Sequence, residues 1–339
     1  MTSPAPVRLT ANPSPVRRPG SIRRTSSIDV TWQGDMTTER LFSGRARDIV
    51  RTADGEDRVR AEAVMEAGVA ADRTITAMAA TPAPEGLERL VGERGGGHLR
   101  GVLRDLFPGL IADAHPLYLL LDDISGTSLV SNWAWSQWGE SWLEKMGAAE
   151  GTATMEEMLA ARSNICWGFQ PGFSSHQMES RDHHRDAADG KDLRNPADPA
   201  GWHDFPLHDG VSFRRARRID VWREDGRIAV EASFQDSAPR SEGRGRAALH
   251  EYVLRLTADA ASGVIESLDP EPRVLPFHEC PGAIANAKGL IGTPIADVRA
   301  SVLEKLRGPA GCTHLNDALR ALAEVPQLLA ALDVVEAPA

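Results

Sequence analysis

Cys280, Cys312, His250 and His314 are the side chains of this sequence best able to do chemistry. Cys280 stands in a Pro/Gly-flanked turn, Phe277-His-Glu-Cys-Pro-Gly282, ahead of a helical pattern. Cys312 and His314 open another helix after Gly308-Pro-Ala-Gly311, and His250 opens an alternating strand. A thiol at a helix N-terminus meets partial positive charge, which lowers its pKa and makes thiolate accessible. Thiolate and neutral imidazole are in turn ligands for zinc or iron. The expectation is that His250, Cys280, Cys312 and His314 converge at one end of a strand meander as a metal or thiol site. The plainer alternative is two buried small hydrophobes and a surface histidine.

A second constellation lies earlier. If Pro116 occupies a first helical turn, His115, Tyr118 and Asp122 share one helical face. Such a trio suits general acid–base work; the alternative is that Leu117, Leu120 and Leu121 form the buried face and the polar residues meet solvent. Next come Trp133, Trp135, Trp138 and Trp142, then Cys166-Trp167-Gly168-Phe169. Trp133, Trp135, Trp138 and Trp167 are candidates to wall a pocket for a flat organic ligand, or else to form a core stripe between two halves. His183, His184, His203 and His208 fall in a polar loop and read as solvated, with a lid as the functional alternative.

These residues need elements to hold them, and the elements recur. Arg24 to Val30 resembles Arg215 to Val221, Gly92 with Val102 to Leu106 resembles Gly292 with Val302 to Leu306, and Asp113-Ala-His115 resembles Cys312-Thr-His314. The shared order and near-constant offset point to duplication. In the second copy, residues 217–222, 227–234, 250–257 and 264–268 alternate as strands, with Glu224-Asp-Gly226 as a turn. Residues 282–290, 295–306 and 313–332 follow helical spacing. The expected fold is α+β, a tandem repeat of an antiparallel meander followed by helices. Its divisions are a disordered tail (1–20), a degenerate first repeat (21–125), a Trp-rich helical segment with a polar loop (126–212), and a second repeat with the Cys/His site (213–335).

Bulk properties narrow the partners. A net charge of −10 gives no electrostatic support to nucleic-acid binding. The Arg clusters at 17–18, 23–24 and 214–218 read as solvated strand ends. No apolar run approaches the roughly 18 residues of a membrane span. Three cysteines are too few and odd for a disulfide framework, so a reducing, cytoplasmic setting is expected. No nucleotide or flavin fingerprint appears. Whether the chain forms a homo-oligomer stays open.

Leu254-Arg-Leu-Thr, Gly263-Val-Ile, Phe277 to Ala285, Leu290-Ile-Gly292 and Gly311-Cys312 together are similar to the U-type iron–sulfur cluster scaffold fold. That likeness implies that Cys280 and Cys312 stand where two cluster-ligating cysteines stand. The early strand-loop cysteine has no counterpart; His250 or Asp236 lies nearby instead. Residues 210–325 also resemble a bacterial family, domain of unknown function 2889, through Arg214 to Val221, His250, Cys280, Leu290 to Gly292 and Gly311-Cys-Thr-His-Leu315. Two functions are open. One is a metal- or thiol-dependent lyase or hydrolase acting on a small organic substrate, as in aromatic compound catabolism, with His115, Tyr118 and Asp122 moving protons. The other is a carrier for a metal, an iron–sulfur cluster or a persulfide.

Overall fold

The computed structural model describes residues 13–139, 155–176, 188–190 and 192–336. Alternating apolar and polar residues put each long strand with one face toward a core. The first half gives β1 (Ser21–Trp32), β2 (Arg40–Arg51), β3 (Asp57–Val69) and β4 (Ile75–Thr81); the second gives β6 (Ser212–Glu224), β7 (Arg227–Pro239), β8 (Arg246–Asp259) and β9 (Ile265–Val274). A short β5 (Ala188–Gly190) comes between them. All pairings are antiparallel and form one sheet ordered β4-β3-β2-β1-β6-β7-β8, with β9 and β5 sharing the outer edge of β8. The turn at Asp225-Gly226 has positive φ at both residues, 50° and 75°, the geometry that matches strand twist in a two-residue hairpin.

The seam is β1 against β6, paired from Ser21↔Trp222 to Thr31↔Ser212. The strand order is mirrored about it. Each half also carries a bulge at a corresponding place. The β2–β3 register shifts just after Asp48, which faces Ala61, and the β7–β8 register shifts just after Asp236, which faces His250.

Helices cover one sheet face. In the first half these are α1 (Leu99–Leu106), α2 (Pro108–Ala112) and the buried α3 (Pro116–Val130). The linker contributes α4 (Met155–Arg162). The second half gives a turn at Cys280–Ala283, then α5 (Ile284–Ala287), α6 (Val298–Lys305), α7 (Thr313–Ala321) and α8 (Val325–Glu336). The single helix expected over 313–332 is broken by a 3₁₀ turn at Leu322–Glu324, because Pro326 lacks the N–H a continuous helix needs. Two apolar cores result, one under each half.

The other face of the seam is covered too, which corrects two expectations. Residues 13–20 do not belong to a disordered tail. Ser14 N donates to Leu193 O, and the Arg17 guanidinium bonds Asp198 and Asp57. Nor is the 192–209 loop a solvated strap: His203 is buried between Thr25 and Ser27, bonding their hydroxyls at 3.0 and 2.7 Å. Residues 1–12, Trp142, His183 and His184 lie outside the described residues.

Candidate functional site

Asp236 and His250 are cross-strand neighbours on β7 and β8. The bulge leaves Leu249 as an extra residue, so Leu249 and His250 both reach one cavity although they are adjacent in sequence. His250 Nδ1 lies 3.1 Å from Asp236 Oδ2. The Asp236 carboxylate also accepts from Arg215 Nε and Nη2 at 2.9 and 3.0 Å. Despite complete burial, the Arg215 charge and the His250 bond hold its pKa below the usual carboxylate range. An ionised carboxylate only accepts, so His250 Nδ1 carries the proton and Nε2 keeps its lone pair. His314, in the first turn of α7, stacks on His250 with ring centroids 3.5 Å apart and planes inclined by 20°. Burial lowers the pKa of both imidazoles, helped by Arg215, so both are neutral near pH 7.

The cavity has a volume of about 140 Å³. Its floor is His250, His314 and Thr313. The second half adds Leu275 to Phe277, Cys280 and Cys312. Leu129, Val130 and Trp133, at the end of α3, form the wall from the first half, and the linker closes the remaining side with Arg162, Ile165, Cys166 and Phe169. Trp167 N donates to Gly311 O at 2.7 Å, and Phe169 meets Phe277 edge-on at 5.6 Å. Gly168 allows this docking: a Cβ there would come within 2.7 Å of Cys280 Sγ. The Trp133 indole N–H is buried with no hydrogen-bond partner among the described residues. An apolar cavity of ~150 Å³ is large enough to hold a benzene ring.

The thiols behave differently from the expectation at helix N-termini. Cys166, Cys280 and Cys312 are all buried and free. Desolvation raises all three, Cys166 to about 12. Burial outweighs the helix-end charge, so they are neutral thiols. Tyr252 Oη donates to Cys312 Sγ at 3.5 Å.

The structure brings His250 and His314 together, but with Asp236 rather than with cysteines. Among the described residues, Asp236, His250 and His314 form the group of three whose donor atoms lie within 4.8 Å of one another. Cys280 and Cys312 line the same cavity outside that group. A ring nitrogen binds a metal in the plane of its ring at about 2.0–2.1 Å. Two near-parallel stacked rings do not offer in-plane lone pairs to one ion, and the carboxylate is already forked by Arg215. The trio as arranged therefore fits proton transfer and does not fit zinc or iron.

The other expected residues part company. Trp133 lines the cavity and Trp167 packs on Gly282 beside it. Trp135 instead meets Trp32 edge-on at 5.6 Å, and Trp138 Nε1 donates to Pro239 O. His115, Tyr118 and Asp122 do not face the cavity, which overturns the acid–base trio proposed for them. His115 caps α3, accepting from Leu117 N at 3.2 Å. The Tyr118 ring lies under Arg299, and burial pushes its hydroxyl up to about 12. Asp122 is paired with Arg320 and Arg100. Of the three, only Asp122 is taken up by charge pairing, while His115 lines a separate cavity beside Arg24 and Asp48.

The arginine clusters, expected to be solvated, are buried apart from Arg18. Arg215 approaches Asp123 and Asp317 as well as Asp236, Arg217 forks Asp123, and Asp317 continues to Arg320 and Arg100. A run of alternating charges thus leads from the site across the interface of α3 and α7. In the first half, Arg24 forks Asp48 as Arg215 forks Asp236, with Ala61 where His250 stands.

Residues 213–327 match the family model described as protein of unknown function (DUF2889). That segment holds Arg215, Asp236, His250, Cys280, Cys312 and His314. No curated protein matches the chain, and no solved structure does. No helix among the described residues is long and apolar enough to cross a membrane.

Proposed function

We propose that this chain is an enzyme that moves a proton on a small, largely apolar organic molecule, with His250 as the base and Asp236 as the group that orients it. The observation that carries this reading is one residue, His250. It is buried, neutral, fixed in one tautomer by an ionised carboxylate, and part of the wall of a cavity sized for a single ring. A neutral imidazole accepts a proton at Nε2, and Asp236 stabilises the imidazolium that forms. A lyase needs that proton and a leaving group on the substrate. A hydrolase needs, in addition, a water admitted beside His250.

The mirrored strand order, the matching bulges and the two Arg–Asp forks support duplication as the origin of the fold. On this reading the first half lost its base at Ala61 and now supplies the Trp133 wall. Likeness to the iron–sulfur scaffold fold rests on the sequence motifs. A carrier is the second reading, favoured by three cysteines lining one cavity. It requires an accessible site, and none of the three is more than 8% exposed.

The test is deuterium exchange. Ring-sized aromatic and carbonyl compounds that bind the protein are incubated with it in D₂O. Wild-type protein should exchange a C–H of at least one bound compound, and His250→Gln should lower that rate by ~10²–10⁴ with the fold intact. Bound compounds that exchange equally with wild type and variant would sink the proposal.

A further inference from the structure

A second cavity, of about 240 Å³, lies on the sheet face opposite the helices. Its lining is polar where the first is apolar. Arg218 on β6, Gln235 and Ser233 on β7, Glu251 on β8 and Arg273 on β9 meet there, with Trp202 as a flat wall. Ser14 and Pro15 lie across it, held in place by the bond from Trp202 Nε1 to Ser14 Oγ at 3.0 Å.

The donors are in surplus. Arg218 is 2% exposed and bonds Glu231 and Asp220 through its two Nη groups, which leaves Nε buried with no partner among the described residues. Arg273 pairs with Glu271 through Nη2, and its Nε is likewise buried and unpartnered. A buried donor without an acceptor costs about 1–3 kcal/mol, and here the two arginines that carry such donors line one space. Asp220 is shared between Arg218 and the buried Arg23, and Glu231, which also lines the cavity, is the second carboxylate on Arg218. Beside them, Gln235 Nε2 donates to Glu251 Oε2 at 2.6 Å, fixing a carboxylate edge in the same lining.

We propose that this cavity is a binding site for a small polar molecule that carries an oxyanion and a hydroxyl or amino group, the oxyanion accepting from Arg218 and Arg273 Nε and the donor meeting Glu251. This site is independent of His250, because the sheet stands between the two cavities. A hydroxycarboxylate and a hydroxylated phosphate share this chemistry.

Arginine Nε–H resonances of the full chain test it, with the protein titrated at constant ionic strength by inorganic phosphate and, separately, by glycolate. The Arg218 and Arg273 signals should move saturably with at least one probe, and the stronger probe identifies phosphate or carboxylate as the preferred group. Arg273→Gln, at a less buried position than Arg218, should weaken that binding at least tenfold. Ser233→Leu, which fills the cavity, should abolish it, while exposed Arg58→Gln leaves it unchanged. The proposal is overturned if neither probe moves the two signals up to tens of millimolar, if the shifts are no larger than those from chloride, or if Arg273→Gln and Ser233→Leu bind as wild type does.

Discussion

At the scale of single residues, the imidazoles set the pH response. His203 is drawn down to about 3 by burial and the surrounding arginines, and His250 and His314 are lowered as well. The unfolded chain protonates such groups near 6.5, before the folded chain does. Stability is therefore full above that pH and is lost as pH falls toward the folded values. For His203 alone the loss at pH 5 is about 2 kcal/mol. Chemical denaturation between pH 7 and 5 should show this decline, and His203→Asn should flatten it. The paired Asp236 and Asp317 titrate far below this window and do not contribute to it. Thiol chemistry should be equally distinctive. With all three thiols buried and raised, native protein should react with iodoacetamide at pH 8 much more slowly than denatured protein, in which all three cysteines label. Rapid labelling of Cys280 or Cys312 in folded protein would contradict their burial.

Between elements, the contacts that matter are close and charged. Gly126 on α3 leaves room for the Arg215 guanidinium; a methyl at this position would overlap Arg215 Nη1. Gly126→Ala should cost about 1–3 kcal/mol of stability as overpacking, and it should disturb the Asp236–His250 pair that Arg215 supports. NMR of the His250 ring would report that disturbance apart from the lost stability. Asp123→Asn should cost about 3–5 kcal/mol, since it leaves Arg217 buried without its partner, whereas replacing both by apolar residues should recover much of the loss. Double-mutant thermal melts measure this. The meander, the Asp225-Gly226 turn and the helices after it were legible from alternation and from 3.6-residue spacing, as was the gathering of Cys280, Cys312, His250 and His314 around one cavity. The burial of the arginines was not. Asp123 lies 94 positions from Arg217, and Glu324 lies 300 from Arg24, so nothing local announces the pairing. Nor does alternation disclose a bulge at Leu249, which decides what His250 faces.

For the whole molecule, the decisive feature is that both halves share one sheet. The segment that matches the family model begins at the seam, so residues 213–336 expressed alone would expose the full β6 edge, an open template for pairing. That fragment should self-associate or aggregate where the full chain does not, as sedimentation would show. A monodisperse, folded monomer would mean that the seam contributes little to stability.

The seam also governs how anything reaches His250. Eleven consecutive residue pairs tie β1 to β6, and a continuous ladder has no hinge about which two halves could part. On the linker side of the cavity the described contacts are local and include Trp167 on Gly311, Ser174 on Glu279 and Phe169 against Phe277. Exchange of a bound molecule should then depend on these contacts more than on the seam. Its rate should rise in Ser174→Ala, which removes the hydroxyl bond to Glu279, and ignore the stability of the sheet.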